Sequence, residues 1–198
     1  MQISGKFILK VAGTLTVIAL VVAALLGVVN NVTKDKIAEQ DAENTRIAMS
    51  AVAPEGSEFG DKMDISDAVA AAASAHGGKI VEMYPMTNGG ADAGYVVKVS
   101  ASGSQGTITM MVGVDANKAI TGISVISHSE TSGIGTKVVG NEPTASGVGV
   151  LDQFIGKSAA DGTLTVGTNV DAITGATVST RGVTTGVNTA LAAVAAMG

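Results

Sequence analysis

Four hydroxyl side chains and one carboxylate lie close together near the C-terminus, in the run Asp171-Ala172-Ile173-Thr174-Gly175-Ala176-Thr177-Val178-Ser179-Thr180. Val183, Val187, Leu191 and Val194 follow at intervals of three or four, which is helical spacing, so the run is a turn that feeds a helix. Ser179 or Thr180 is placed to serve as the N-cap, its hydroxyl accepting a bond from a free backbone N–H. Unpaired N–H groups and the positive end of the dipole also make a helix start a natural phosphate site. Gly175 and Ala176 put almost no side chain between Thr174 and Thr177, so a large group can approach the Thr177 hydroxyl. Two readings stand at this point: a helix cap and nothing more, or a place where a group is carried.

A second stretch, His128-Ser129-Glu130-Thr131-Ser132-Gly133-Ile134-Gly135, combines an imidazole, a carboxylate and two glycines. If a strand persists to this point, alternation puts His128 and Glu130 on one face. Gly133 and Gly135 would then let a loop pass close to a planar ligand. The plainer reading is an ordinary strand-end pair followed by a glycine turn.

Composition removes several classes of function. From residue 11 onward ten Lys and Arg stand against seventeen Asp and Glu, so no basic footprint exists for a phosphate backbone. With two tyrosines, three phenylalanines and no tryptophan there are few platforms for stacking bases, and nucleic acid is not an expected partner. The absence of cysteine excludes disulfides, thiolate zinc sites and cysteine-ligated iron–sulfur clusters, and two histidines (His76 and His128) make no histidine-rich metal site. Redox chemistry, if present, belongs to an organic cofactor.

The elements that must position these residues follow from the pattern. Residues 11–29 carry no charge, and Phe7 to Leu9 extend the run, which is long enough to span a bilayer. Lys6 and Lys10 precede it and favour a cytoplasmic N-terminus, with Lys34 and Lys36 reducing the asymmetry. A cleaved signal peptide is the competing reading; the run exceeds a typical h-region, and Leu25-Leu26-Gly27-Val28-Val29 offers no small-x-small cleavage site. Membrane lipid is therefore an expected contact of residues 1–30. Residues 31–60 read as a helical stalk and linker broken at Pro54 to Gly60. The remainder, 61–198, forms the expected domain outside the cytoplasm.

Within that domain, Asp64 to Ala75 is an alanine-rich helix, with His76 before Gly77 as a C-terminal capping cation. Period-two alternation gives strands at Ile80–Met86, Gly94–Ser100, Gly106–Val114 and Ile120–His128, joined by short turns and so antiparallel. Val148 to Ile155 resembles a short helix and Thr163–Val166 a last strand. The fold class is α+β: an N-terminal transmembrane helix, then one domain with an antiparallel sheet and flanking helices. Gly156-Lys157-Ser158 ends like a P-loop, but Leu151 occupies the place of its first glycine, and Gly133-x-Gly135 lacks the third glycine of a dinucleotide fingerprint.

Asp171-x-x-Thr174-Gly175-Ala176-Thr177 resembles the flavinylation motif of the bacterial FMN-binding domain family. His128-x-Glu130-Thr131-x-Gly133-x-Gly135 resembles that family's second recurrent element, in the expected order upstream. The resemblance implies that Thr177 carries covalent FMN through a phosphoester bond; its phosphate would then lie at the helix start, where the free N–H groups and Ser179 or Thr180 can bond it. It also implies that Asp171, Thr174, Gly175 and Ala176 are read by a separate flavin transferase. An outside enzyme makes chemical sense, because a threonine hydroxyl is a poor nucleophile until a base or metal activates it. The loop with His128, Glu130, Thr131, Gly133 and Gly135 is implied to pack near the flavin, and no metal site is implied.

An anchor, a stalk and a domain of this length further resemble the family of G subunits of the Rnf electron-transport complex. That implies an electron carrier of a bacterial or archaeal cell membrane, partnered by the complex's A, B, C, D and E subunits. It also implies a domain on the outer face and no catalysis by the chain alone. The C subunits of the sodium-pumping NADH:quinone reductase share the motif but are usually longer. Outside flavin chemistry, the alternative is a membrane-tethered binding module.

Overall fold

The computed structural model describes residues 5–197; Met1 to Ser4 of the expected anchor and Gly198 of the expected domain lie outside them. The chain divides into two compact units, Met1–Glu43 and Asn44–Gly198. Helix α1 (Gly5–Val52) supplies the described part of the first, and its residues from Asn44 onward belong to the second.

In the first unit the helix is apolar and long enough to cross a membrane, and no residue of its most apolar stretch is buried within the protein. At 1.5 Å per residue, the uncharged residues 11–29 measure about 28 Å, close to the ~30 Å hydrocarbon core of a bilayer. Leu15, Ile18, Leu25 and Leu26 are all more than half exposed, so lipid is the solvent that accounts for them. Thr14 and Thr16 return their hydroxyls to the carbonyls of Lys10 and Ala12 at 2.9 Å, which removes two polar groups from that apolar surface.

The second unit is built on a five-stranded antiparallel meander in sequential order: β1 (Ser57–Phe59), β2 (Lys79–Asn88), β3 (Ala91–Ser102), β4 (Thr107–Val114) and β5 (Ile120–Ser127). The four longer strands fall where alternation places them. β1 is not expected from the sequence, because three residues inside a Pro- and Gly-bounded segment give no periodic signal; they pair with Met86 to Asn88. Strands β3 and β4 are buried on both faces. Val97, Val99, Met110, Val112 and Val114 face one apolar cluster, and Val96 and Met111 face the other.

The larger cluster is closed by helix α4 (Thr177–Ala195) and the short α2 (Asp67–Ser74). Ser66 caps α2, its hydroxyl accepting from Val69 N–H, so the helix starts three residues after the expected Asp64. The smaller cluster receives Ala48, Met49 and Val52 from the end of α1. Thr121 Oγ1 donates to Val52 O at 2.5 Å, and Gly113 and Gly122 leave room for that carbonyl turn to lie against the sheet. Phe154, the one fully buried aromatic among the described residues, sits in a 3₁₀ turn (Asp152–Phe154) where a short helix is expected. Thr163–Val166 is not a strand. The side-chain amide of Asn188 takes the partner's role, accepting from Leu164 N–H at 3.0 Å and donating to Leu164 O at 2.9 Å. The bridge formed there joins Val166 to Val170.

Candidate functional site

The run 171–180 is held at both ends and open in the middle. Ile173 and Ala176 are buried in the main core, and Ala176 N–H donates to Ile173 O at 2.9 Å, which closes the turn. Thr174 and Gly175 are exposed at its tip. Gly175 has φ +84°, and no atom lies within 4 Å of where a Cβ would stand. This reversal starts α4 at Thr177, with Ala176 as N-cap and no side chain capping it. Ser179 and Thr180 are therefore not the caps that helical spacing alone predicts. They lie inside the first turn and are 1% and 0% exposed. Thr180 Oγ1 donates back to Ala176 O at 3.1 Å, and the Ser179 hydroxyl donates to Glu130 Oε2.

Thr177 differs from both. It is half-buried, and its hydroxyl makes no hydrogen bond with the described residues. The backbone N–H groups of Thr177, Val178 and Ser179 are likewise without an acceptor among the described residues, as the first turn of a helix leaves them. Asp171 is placed by its backbone: Gln153 Oε1 accepts from Asp171 N–H at 2.7 Å and Gln153 Nε2 donates to Asp171 O at 2.9 Å. The Asp171 carboxylate is left exposed.

The second stretch comes to the same place. β5 ends at Ser127, so His128 and Glu130 do not share a strand face; His128 is exposed and Glu130 is 7% exposed. Glu130 N–H donates to His128 Nδ1 at 3.2 Å, a local turn in place of the extended backbone. The Glu130 carboxylate is turned inward, where Oε1 accepts from the N–H groups of Ser104 (2.8 Å) and Gln105 (3.3 Å). Thr131 O accepts from Ile134 and Thr136 N–H, and Gly133 N–H donates to Thr136 Oγ1 at 2.8 Å, so the loop is folded on itself into the short α3 (Gly135–Val139). Gly133 has φ +75° and faces open space. Gly135 is different, since a Cβ there would stand 2.5 Å from Glu130 Oε2 and 2.9 Å from Ser179 Oγ.

One pocket is lined by both stretches: Glu130, Thr131, Ile134 and Gly135 from the loop, and Gly175 to Ser179 from the turn and helix. His128, Gly133, Asp171 and Thr174 are not among its lining residues. Ser104, which lines the pocket, and Gln153, which holds Asp171, join the site without having been signalled. Ser104 and Gln153 act through backbone bonds that no pattern marks. Arg181 is exposed one turn beyond Thr177 on α4. The pocket thus offers a free hydroxyl, unpaired N–H donors, and two apolar side chains, Ile134 and Val178, each about half exposed (49% and 51%). Among the described residues no group of metal ligands accompanies them.

Residues 103–192 match the FMN-binding domain, and residues 1–52 match the RnfG N-terminal region. The chain is 34% identical over 197 residues to the G subunit of the Na(+)-translocating ferredoxin:NAD(+) oxidoreductase complex of Acetobacterium woodii, covering 94% of this chain and 91% of that one. It is 32% identical over 194 residues to the G subunit of the ion-translocating oxidoreductase complex of Methanosarcina acetivorans, covering 94% of each. The corresponding protein of Vibrio vulnificus is 29% identical over 178 residues, covering 86% of this chain and 81% of that one. With an apolar anchor helix ahead of a site-bearing FMN-binding domain, the chain belongs to the family of G subunits of ion-translocating oxidoreductase complexes.

Proposed function

We propose that this chain is the electron-carrying subunit of a membrane complex coupling electron transfer between ferredoxin and NAD to ion translocation, and that it holds FMN covalently on Thr177. The relatives' names support the complex, and the FMN-binding domain supports the cofactor. The observation that carries the attachment site is the state of the hydroxyls. Ser179 and Thr180 are buried and engaged, whereas Thr177 is reachable and unengaged at the first position of α4.

The residues fit a phosphoester. Thr177 Oγ1 would bond to the phosphorus of a flavin dinucleotide held by a separate flavin transferase, its proton leaving to a base on that enzyme while the dinucleotide's pyrophosphate P–O bond breaks and the nucleoside monophosphate departs. The free N–H groups of Thr177, Val178 and Ser179 would donate to the phosphate oxygens, favoured by the helix dipole. Gly175 leaves the approach open, while Asp171, Thr174 and Ala176 present the turn to the transferase. Ile134 and Val178 would cover apolar ring surface, as aliphatic side chains do in ligand pockets. Bound FMN supplies the electron carriage that no side chain here can perform.

The protein would be anchored by residues 1–30, joined through 31–60 to a domain over 61–198 on the outer face. Lys6 and Lys10 favour the cytoplasmic N-terminus. Its partners would be the remaining subunits of the complex.

Thr177→Val keeps the shape and removes the attachment oxygen, so with the transferase co-expressed it should abolish flavin fluorescence of the denatured protein. Thr174→Val keeps that oxygen, and any loss there should be partial. Peptide mass spectrometry should place FMN less one water on Thr177. A mass on Thr174 or Thr180, or an unmodified chain beside an active transferase, would refute the assignment.

A further inference from the structure

We infer that Glu130 is a positioning residue whose carboxylate assembles the flavin pocket and sets its charge; this rests on the attachment proposed at Thr177. Glu130 is only 7% exposed and draws three segments together: the β3–β4 turn through Ser104 and Gln105 N–H, its own loop, and the first turn of α4 through Ser179 Oγ. All three partners donate to it, which suits a carboxylate, a group that only accepts. The surrounding backbone is cut to fit it. A Cβ on Gly103 would collide with Oε1, and one on Gly135 would stand 2.5 Å from Oε2. Glu130 and Thr177 line the same pocket, so the carboxylate lies beside whatever is carried there. A carboxylate in a partly dewatered pocket disfavours the addition of an electron nearby, because the interaction is weakly screened.

Two consequences follow that simple loop packing would not produce. Glu130→Gln keeps the size, can still accept from Ser104, and can donate to Ser179 in place of accepting. It removes only the charge, so the flavin's midpoint potential should rise. Ser179→Ala keeps the charge and removes one donor to it, so the potential should fall.

The test uses the full chain in membranes with the transferase co-expressed. Flavin content, the mass of the Thr177 peptide, melting temperature and midpoint potential are measured for wild type, Glu130→Gln, Glu130→Ala and Ser179→Ala. Wild-type flavin on Thr177 checks the underlying reading separately from this one. Expected are an upward shift for Glu130→Gln, a downward shift for Ser179→Ala, and reduced flavin content for Glu130→Ala. A folded Glu130→Gln protein that takes no flavin at all also supports assembly of the pocket by this carboxylate. Flavinylated Glu130→Gln with the wild-type potential overturns the inference. If neither Glu130 variant folds, Ser179→Ala decides, a lowered potential supporting the inference and an unchanged one overturning it.

Discussion

The carboxamide of Gln153 closes on the backbone of Asp171 from both sides, accepting from its N–H at 2.7 Å and donating to its carbonyl at 2.9 Å. The same Nε2 also donates to Val150 O at 2.9 Å, which fastens the clasp to the 3₁₀ turn holding buried Phe154. Asp171 is thereby presented with its carboxylate outward, 18 residues from the side chain that fixes it. Gln153→Ala should leave the core intact, cost about 1 kcal/mol for the lost bonds, and lower the yield of flavin attachment with the transferase limiting. Gln153→Glu retains the acceptor and loses the donor, so it should fall between Ala and wild type. Flavin content per protein across the three measures this, and equal yields would separate the clasp from recognition.

The two loop glycines should respond differently. Gly133→Ala meets no neighbour, and its cost is that of a side chain at φ +75°, about 1–2 kcal/mol. Gly135→Ala intrudes between Glu130 and Ser179, so the carboxylate or the helix start must shift. Gly135→Ala should therefore alter the spectrum of bound flavin while Gly133→Ala leaves it near wild type. Identical spectra in folded, flavinylated proteins would make Gly135 a purely structural glycine.

The strands were legible because burial on one or both faces writes itself as alternation or as continuous apolar runs, as at Val96 to Val99 and Met110 to Val114. The turn at 171–177 was legible as a motif, but its mechanics were not. Nothing in the order of residues says that Gly175 reverses the chain early enough to start the helix at Thr177. That early start puts Ser179 on the buried side. Alternation puts Glu130 on a strand face because it assumes an extended backbone, whereas the His128 imidazole accepts the Glu130 N–H and ends the strand. Gln153 and Asn188 substitute side-chain amides for backbone partners across 18 and 24 residues, a pairing without periodic signature.

A charged cluster on the α1 side of the sheet should make stability fall in acid. Burial acts to raise the Glu82 pKa, but the hydrogen bond from Lys62 and the charge of Lys98 outweigh it, and the net value lies below the ordinary 4.5. Lys98, largely buried, bonds Glu82 at 3.3 Å and Thr45 Oγ1 at 2.9 Å. A lowered folded-state pKa contributes stability that is present above the unfolded value and lost as pH falls through the folded one. Glu82→Gln should destabilise by about 1 kcal/mol at neutral pH, and the difference from wild type should vanish below the folded pKa. Melting of the detergent-solubilised chain at neutral and acid pH checks this. A pH-independent difference would mean that packing, not charge, dominates.

Along the first turns of α4 the side chains reaching solvent are Thr177, Val178, Arg181 and Thr185, a single stripe at helical spacing, while Ser179, Thr180, Gly182, Val183 and Thr184 are buried. Arg181 follows Thr177 by four residues, so the two are neighbours on that stripe, and a helical side chain leans toward the turn before it. It forms no ion pair with the described residues. A phosphate on Thr177 would thus find a guanidinium within reach in addition to the free N–H groups, and the planar fork suits phosphate oxygens. Arg181→Gln should slow flavin attachment at low ionic strength, with the deficit shrinking as salt rises, because an exposed pair is screened. Arg181→Lys should recover part of the rate, keeping the charge without the fork. The measurement is the rate of covalent flavin incorporation with purified transferase at two salt concentrations, and melting temperatures should be unchanged within error. A deficit that does not depend on salt, or none at all, would place Arg181 outside the site.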